Sequence, residues 1–279
     1  MLIKLENHNS INYDSINNKY KKKNILLSIS GGYDSTYLLI RNLKNGNFVY
    51  PVYTFVSCID PVKQLIEYDI IQKLIYRLQK FYDNLLDISV NQINIDCPKN
   101  LYSNQPILWL QSLFKEVKDK PFIDEVNIGY ISTDMAVSLI KEIKSLWKYL
   151  FSFSHPAYFI PKLKFPLINL TKGKIIENLI AFDEEIYKNC WTCELPIIVK
   201  KKKIDKDSVE IIVTSCGNCL PCEHIQDTID DSNNKRQVYK FIFNTKYFIN
   251  DFNLRIKKIV KDVIISKIPV NYLTIEKQS

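Results

Sequence analysis

The sequence predicts an α/β protein built on a doubly wound parallel sheet, and three observations carry that prediction. Short apolar runs alternate with amphipathic runs of helical length. The first apolar run stops at an adjacent glycine pair, Gly31-Gly32, and a helical pattern follows at once. Only six glycines occur in 279 residues, so a pair marks a place where the backbone meets a specific demand.

Asn24 to Ser30 (NILLSIS) is apolar without alternation, as a strand covered on both faces should be. Thr36 to Lys44 carries apolar residues at helical spacing and stops at Asn45-Gly46. Phe48 to Val56 reads as a second strand, Val62 to Leu86 as a long amphipathic helix, and Ile88 to Ile95 as a third strand. A helix over Pro106 to Val117, a fourth strand over Glu125 to Ile131 and a helix from about Asp134 to Leu150 complete the alternation. Strands and helices in this order pair in parallel and wrap both faces of the sheet. After Phe151 the prolines 156, 161 and 166 punctuate an irregular stretch that leads to a helical run over Ile175 to Ile180. Between Gln237 and Ile268 the aromatic and lysine-rich pattern fits strand and helix equally, and no internal repeat is present. Two regions are expected: an α/β domain over 1–165 and a helical, cysteine-bearing region over 166–279.

A hydrophobic content of 46% over this length can fill a full core, so the chain need not be fibrous or disordered. No window approaches the roughly 18 apolar residues of a membrane span. Met1 to Ser10 has neither the basic start nor the apolar stretch of a signal peptide, so a cytoplasmic location is expected. The formal charge of +8 is moderate and collects in Lys19 to Lys23 and Lys200 to Lys203, both read as solvated loops, so nucleic acid is not the favoured partner.

Ser30-Gly31-Gly32-Tyr33-Asp34-Ser35-Thr36 joins the first strand to the first helix. In an open parallel sheet such a loop lies beyond the carboxyl ends of the strands, where ligands bind. The glycines let backbone approach an anion, and hydroxyls, free N–H groups and the helix dipole supply donors, so the loop suits a pyrophosphate. The competing reading is a tight turn in which Ser30 or Asp34 caps the helix. No Gly-Lys-Ser/Thr follows, so this is not a Walker loop. Lys172, in Leu170-Thr171-Lys172-Gly173, would by itself read as a helix-start lysine in water.

Of seven cysteines, five lie between Cys190 and Cys222. Cys58 and Cys97 are isolated and read as buried apolar side chains. Cys190-Trp191-Thr192-Cys193 precedes Cys216-Gly217-Asn218-Cys219-Leu220-Pro221-Cys222 by about twenty residues. C-x-x-C spacing puts thiolates on one turn, where they can share a tetrahedral ion, and a four-thiolate set suits structural zinc. The same residues could hold an iron–sulfur cluster or act as a redox dithiol, and five candidates compete for four places.

The segment Ser30 to Ser35 resembles the SGGxDS signature of the PP-loop ATP pyrophosphatases, Rossmann-like proteins also called adenine nucleotide α-hydrolases. That resemblance implies cleavage of ATP between its α and β phosphates, with Asp34, Ser35 and Lys172 catalytic. It also implies nucleotide contacts from Ser30, Gly31, Gly32, Tyr33, Asp34, Ser35, Thr36 and Gly129. Lys172 enters because Pro166-Leu167-Ile168-Asn169-Leu170-Thr171-Lys172 is similar to the PL-x-x-L-T-K element that brings a lysine to the phosphates in many such enzymes. Mg²⁺ is expected with the ATP.

Together with Trp191-Thr192-Cys193 and Cys216 to Cys222, the loop resembles the 7-cyano-7-deazaguanine synthase family, over about Asn24 to Cys222. Aligned on that family's W-[ST]-C, the resemblance makes Cys193, Cys216, Cys219 and Cys222 the ligands of a Zn²⁺ subdomain and leaves Cys190 spare. It implies a small deazapurine substrate, 7-carboxy-7-deazaguanine, activated as an adenylate and converted to amide and nitrile, and relatives tend to form homodimers. Where the family carries substrate-facing motifs this chain reads Phe55 to Asp60, Ser103-Asn104-Gln105-Pro106, Asp134 to Ser138 and Ile225. Those departures raise a second expectation, a protein amine from an operon partner as acceptor, as in relatives from antiviral systems. A third is a tRNA-modifying PP-loop enzyme. Asp134, Gln105 and Trp109 are the candidates for holding a purine-like ring.

Overall fold

The computed structural model describes residues 22–57, 59–93, 105–152, 159–204, 208–228 and 237–244. Strand β1 (Asn24–Ser28) leads to helix α1 (Tyr33–Lys44), β2 (Phe48–Val56) to α2 (Pro61–Gln79), and β3 (Ser89–Ile93) to α3 (Gln105–Asp119). Next come β4 (Glu125–Asn127), a 3-10 turn (Met135–Leu139), α4 (Ile140–Ser152), β5 (Lys162–Lys164), α5 (Lys172–Phe182) and α6 (Glu184–Asn189). The remaining elements are β6 (Ile197–Lys203), β7 (Ser208–Thr214), α7 (Leu220–Thr228) and β8 (Val238–Asn244).

The five strands β1 to β5 form one parallel sheet in the order β3-β2-β1-β4-β5. Successive side chains of a strand point to opposite faces. Leu27, Tyr53 and Phe55 accordingly join a core with Leu38 of α1, Ile66 of α2 and Ile175 of α5. Leu26, Val52 and Val126 join another with Leu110 of α3 and Trp147 of α4. Helices cover both faces, so the expected doubly wound α/β sheet is present. Chain direction across the sheet reverses at β1, with β2 and β3 on one side and β4 and β5 on the other. The carboxyl ends of β1 and β4 flank that switch point, where such sheets bind ligands.

The last part of the chain adds an antiparallel sheet in the order β6-β7-β8. It packs on α2 through Tyr239, whose hydroxyl donates to Asp69 Oδ2 (2.7 Å) and accepts from Lys73 Nζ (3.0 Å). Ile211, Val213 and Trp191 enter the same core as α1 and α2.

Several elements differ from the sequence expectation. Helix α2 stops at Gln79 instead of Leu86, because Asn84 to Leu86 run alongside the start of β2: Val49 N–H donates to Asn84 O (2.9 Å) and Leu86 N–H to Val49 O (3.0 Å). Leu85 and Leu86 continue the apolar period without being helical. Strand β4 ends at Asn127 instead of Ile131, since the chain from Gly129 leaves the sheet to meet the start of α1. The helix expected from Asp134 begins as a 3-10 turn. Strand β5, inside the proline-punctuated stretch, was not anticipated. Lys200 to Lys203 are not a loop but part of β6. Cys58, Cys97, Ser103-Asn104, Lys19 to Lys21 and the tail from 245 lie outside the described residues.

Candidate active site and metal centre

Helix α1 begins at Gly32 with no side-chain cap. The competing reading of Ser30 or Asp34 as a cap therefore fails, and among the described residues no side chain caps the N–H groups of the first turn. Ser35 instead braces the loop: its hydroxyl accepts from Ser30 N–H (3.2 Å) and donates to Gly32 O (3.3 Å). Gly31 has φ +73°, a left-handed conformation that suits glycine, and a Cβ there would stand 3.2 Å from Ile70 and 3.3 Å from Glu67 O of α2. Gly129, beyond β4, serves close approach: a Cβ would lie 3.3 Å from backbone atoms of Asp34 and Ser35. Tyr33 and Thr36 face the interior. The Tyr33 ring stacks on Tyr187 at 5.4 Å, and burial, then Tyr187, push its phenol upward.

Lys172, the first residue of α5 after the Thr171 cap, does not extend into water. Its Nζ meets Asp34 Oδ2 at 2.5 Å, with side chains 15% and 21% exposed. The other Asp34 oxygen, Oδ1, is buried and finds no hydrogen-bond partner among the described residues. Asp134 lies close enough to feel Asp34, Lys172 and His224. Burial raises its carboxyl, as does Asp34, while Ile131 N–H (2.8 Å), Lys172 and His224 oppose the rise. Trp109 is half-buried beside Tyr130 (centroids 6.4 Å), which stacks on Phe165 (5.7 Å) and carries a buried hydroxyl with no hydrogen-bond partner among the described residues. The Gln105 side chain lies outside the described atoms. The loop, Gly129, Lys172 and Asp134 thus lie together around Asp34.

The thiols of Cys193, Cys216, Cys219 and Cys222 all lie within 4.8 Å of one another, and Cys219 Sγ and Cys222 Sγ are 3.3 Å apart. Four sulfurs about 2.3 Å from one tetrahedral ion stand about 3.8 Å apart, so the set fits a single ion such as Zn²⁺. A cluster would spread the cysteines over several irons and hold them farther apart. Backbone donors face the sulfurs: Cys216 N–H to Cys193 Sγ (3.2 Å), Asn218 N–H to Cys216 Sγ (3.4 Å) and Glu194 N–H to Cys219 Sγ (3.5 Å). Burial raises Cys193 and brings Cys222 up to about 12, whereas at Cys216 the Asn218 N–H and neighbouring thiols outweigh burial and bring it down to about 7.

Cys190 stands outside that group. Its thiol donates to Ile186 O (3.4 Å) and lies near Thr36, Asp34 and Lys172; burial pushes it up to about 12, partly offset by Thr36. The chain between Cys190 and Cys193 is pinned to the loop, with Trp191 N–H donating to Gly31 O (3.1 Å) and Trp191 O lying 3.4 Å from where a Gly32 Cβ would be.

Sequence reasoning missed His224, Lys63, Glu67 and Glu194. His224 sits two residues after the last cysteine on α7, a position the spacing marks without naming a role. Lys63 and Glu67 look like an exposed i,i+4 pair yet are buried: Lys63 Nζ reaches Glu67 Oε1 (3.4 Å) and Glu194 Oε2 (2.6 Å). Tyr53 OH donates to Glu67 Oε2 (2.8 Å).

No protein-family model matches the sequence, and no curated protein matches it. Among solved structures the chain is similar to the U34-tRNA thiolase NcsA from Methanococcus maripaludis, solved with its 4Fe-4S cluster, at TM-score 0.43 and 14% identity over 63% of this chain and 60% of that one. It is also similar to NMN synthetase from Francisella tularensis, at TM-score 0.33 and 17% identity over 62% and 68%. A predicted tRNA methyltransferase subunit from Methanocaldococcus jannaschii gives TM-score 0.33 and 13% identity over 75% and 89%. The chain thus spans less than two thirds of the thiolase, and at these scores the architecture rests on its own strand order. Fold and site define a doubly wound α/β protein with a glycine-serine loop at its switch point and a four-cysteine centre beside it.

Proposed function

We propose that this chain is a PP-loop ATP pyrophosphatase that activates a carboxylate, and more narrowly that it adenylates 7-carboxy-7-deazaguanine as a divergent relative of 7-cyano-7-deazaguanine synthase. The observation that carries the first part is the uncapped start of α1 at the switch point, with Lys172 drawn to Asp34 at its mouth. The narrower part rests on the motifs from Ser30 to Ser35 and from Trp191 to Cys222. First-turn N–H groups and the Ser30 hydroxyl would hold the β and γ phosphates, and Lys172 would turn from Asp34 to the phosphate as charge develops. Asp34 Oδ1 is the oxygen on offer to a Mg²⁺ that accompanies ATP. The substrate carboxylate oxygen attacks the α phosphorus, and the bond to the bridging oxygen breaks with its electron pair leaving on pyrophosphate. Ammonia then attacks the acyl carbon, AMP departs, and the amine loses a proton. Asp134, which feels the charge of Lys172, would accept a ring N–H of the heterocycle. Cys193, Cys216, Cys219 and Cys222 would hold Zn²⁺, which supplies a cross-link between the segment after α6 and α7.

The test is to incubate the protein with ATP, Mg²⁺, ammonium and 7-carboxy-7-deazaguanine and follow AMP and deazapurine by mass spectrometry. Amide or nitrile with matching AMP is the expected result. AMP without free amide or nitrile would retain the pyrophosphatase and replace ammonia by another acceptor, whereas no AMP with any carboxylate would overturn both parts.

A further inference from the structure

The four-cysteine centre and the phosphate loop are joined by two separate routes. One is main chain: Trp191, two residues before Cys193, donates from its N–H to Gly31 O at 3.1 Å, and Gly32 closes against Trp191 O. The other runs through buried charge. Glu194 follows Cys193 directly, gives its N–H to Cys219 Sγ (3.5 Å), and sends its carboxylate to Lys63 Nζ (2.6 Å). Lys63 also meets Glu67, whose carbonyl oxygen lies 3.3 Å from where a Gly31 Cβ would be. Tyr53 fixes Glu67 from β2.

Lys63 and Glu67 are each 7% exposed. An ion pair so far from water is a poor source of stability, because desolvation cancels most of its attraction. Both of its members lie on α2, and the register comes from Lys63 reaching on to Glu194, whose side chain is 44% exposed: sliding α2 against Cys193-Glu194 would leave the buried Lys63 with Glu67 alone. The elements it locks are those that shape the loop. α2 forms the wall behind Gly31, and the cysteine segment forms the wall behind Gly32.

We propose that Lys63, Glu67 and Glu194 are positioning residues that couple occupancy of the cysteine centre to nucleotide binding at the Ser30 to Thr36 loop. This rests on reading that loop as a nucleotide site. A metal ion fixes Cys193 relative to Cys219, which fixes Trp191 and Glu194, and these hold Gly31 and Gly32 in the shape that accepts phosphate. Coupling of this kind is reciprocal, so nucleotide must tighten metal binding by the factor by which metal tightens nucleotide binding.

The experiment uses the full chain loaded with Zn²⁺. Mg-ATP binding is first measured by calorimetry, and a chelating dye is then titrated with and without saturating Mg-ATP. The expected result is that the chelator concentration removing half the zinc rises about five-fold or more when Mg-ATP is present. Glu194→Gln keeps shape and the partly exposed position while removing the charge, and should shrink that ratio to less than about two-fold. A merely structural role would lower zinc affinity in both conditions and leave the ratio intact, which would overturn the assignment of Glu194. Mg-ATP that binds without moving the wild-type midpoint would overturn the coupling and leave the nucleotide reading standing. Absence of any ATP binding to the zinc-loaded chain would overturn the nucleotide reading and the coupling with it.

Discussion

Lys172 Nζ lies 2.5 Å from Asp34 Oδ2, a contact between residues 138 positions apart in the chain. It ties the start of α1 to the start of α5, and under the proposed function it holds a cation where phosphate charge would develop. Lys172→Met removes that cation, and the rate of AMP formation is expected to fall about 10²-fold or more. The near-ultraviolet circular dichroism spectrum should be unchanged. AMP release within a few-fold of the parent, by chromatography, would remove Lys172 from the chemistry.

Gly129→Ala tests close packing without backbone strain, because the new Cβ meets backbone atoms of Asp34 and Ser35 at 3.3 Å and neither can swing away. The start of α1 must shift by a few tenths of an ångström. ATP affinity by calorimetry is expected to drop about ten-fold, or about 1.4 kcal/mol. Unaltered affinity would show that the ligand does not depend on where α1 starts.

Cysteine replacement separates ligands from the spare thiol. Cys193→Ser should lose bound zinc by elemental analysis, since Cys193 belongs to the group within 4.8 Å. Cys190→Ser should keep a full equivalent, because its thiol is turned to Ile186 O. The opposite outcome would exchange the two assignments.

Cys190 also makes a pH prediction. Its thiol is pushed from 9.0 to about 12 in the folded protein, so between those values the unfolded chain is deprotonated and the folded one is not. The unfolded state then binds fewer protons, and stability falls as pH rises above about 9, by at most about 1.4 kcal/mol per unit from this group. Denaturant titrations at pH 8.5 and 10.5 should show a smaller loss for Cys190→Ala than for the parent. Equal losses would mean that the thiol ionises in place.

The sequence makes the loop and the cysteine group legible, and the limits have physical causes. β1 and α1 are legible because an unbroken apolar run, a glycine pair and a helical period are local signals. β5 is three residues between prolines and carries no period at all. The four-cysteine group could be named only through family resemblance, since C-x-x-C spacing alone does not choose between Cys190 and Cys193; the fold sets Cys190 apart by turning its thiol to Ile186 O of α6. Lys63 and Glu67 have the spacing of a surface pair, and only packing of β2 and Glu194 over them makes them buried. Spacing reports which residues share a face and says nothing of what covers that face.

Among the described residues strand β6 is an edge of the antiparallel sheet and carries Lys200, Lys202 and Lys203 exposed along it. An open edge offers unpaired N–H and C=O groups to any other extended chain, and a row of ammonium groups makes a second copy repel the first. The repulsion weakens as salt shortens its range, to about 8 Å at physiological ionic strength. Concentrated stocks of this protein should therefore keep best in dilute buffer, and fibrous aggregation at high salt is the behaviour to expect once those lysines are neutralised.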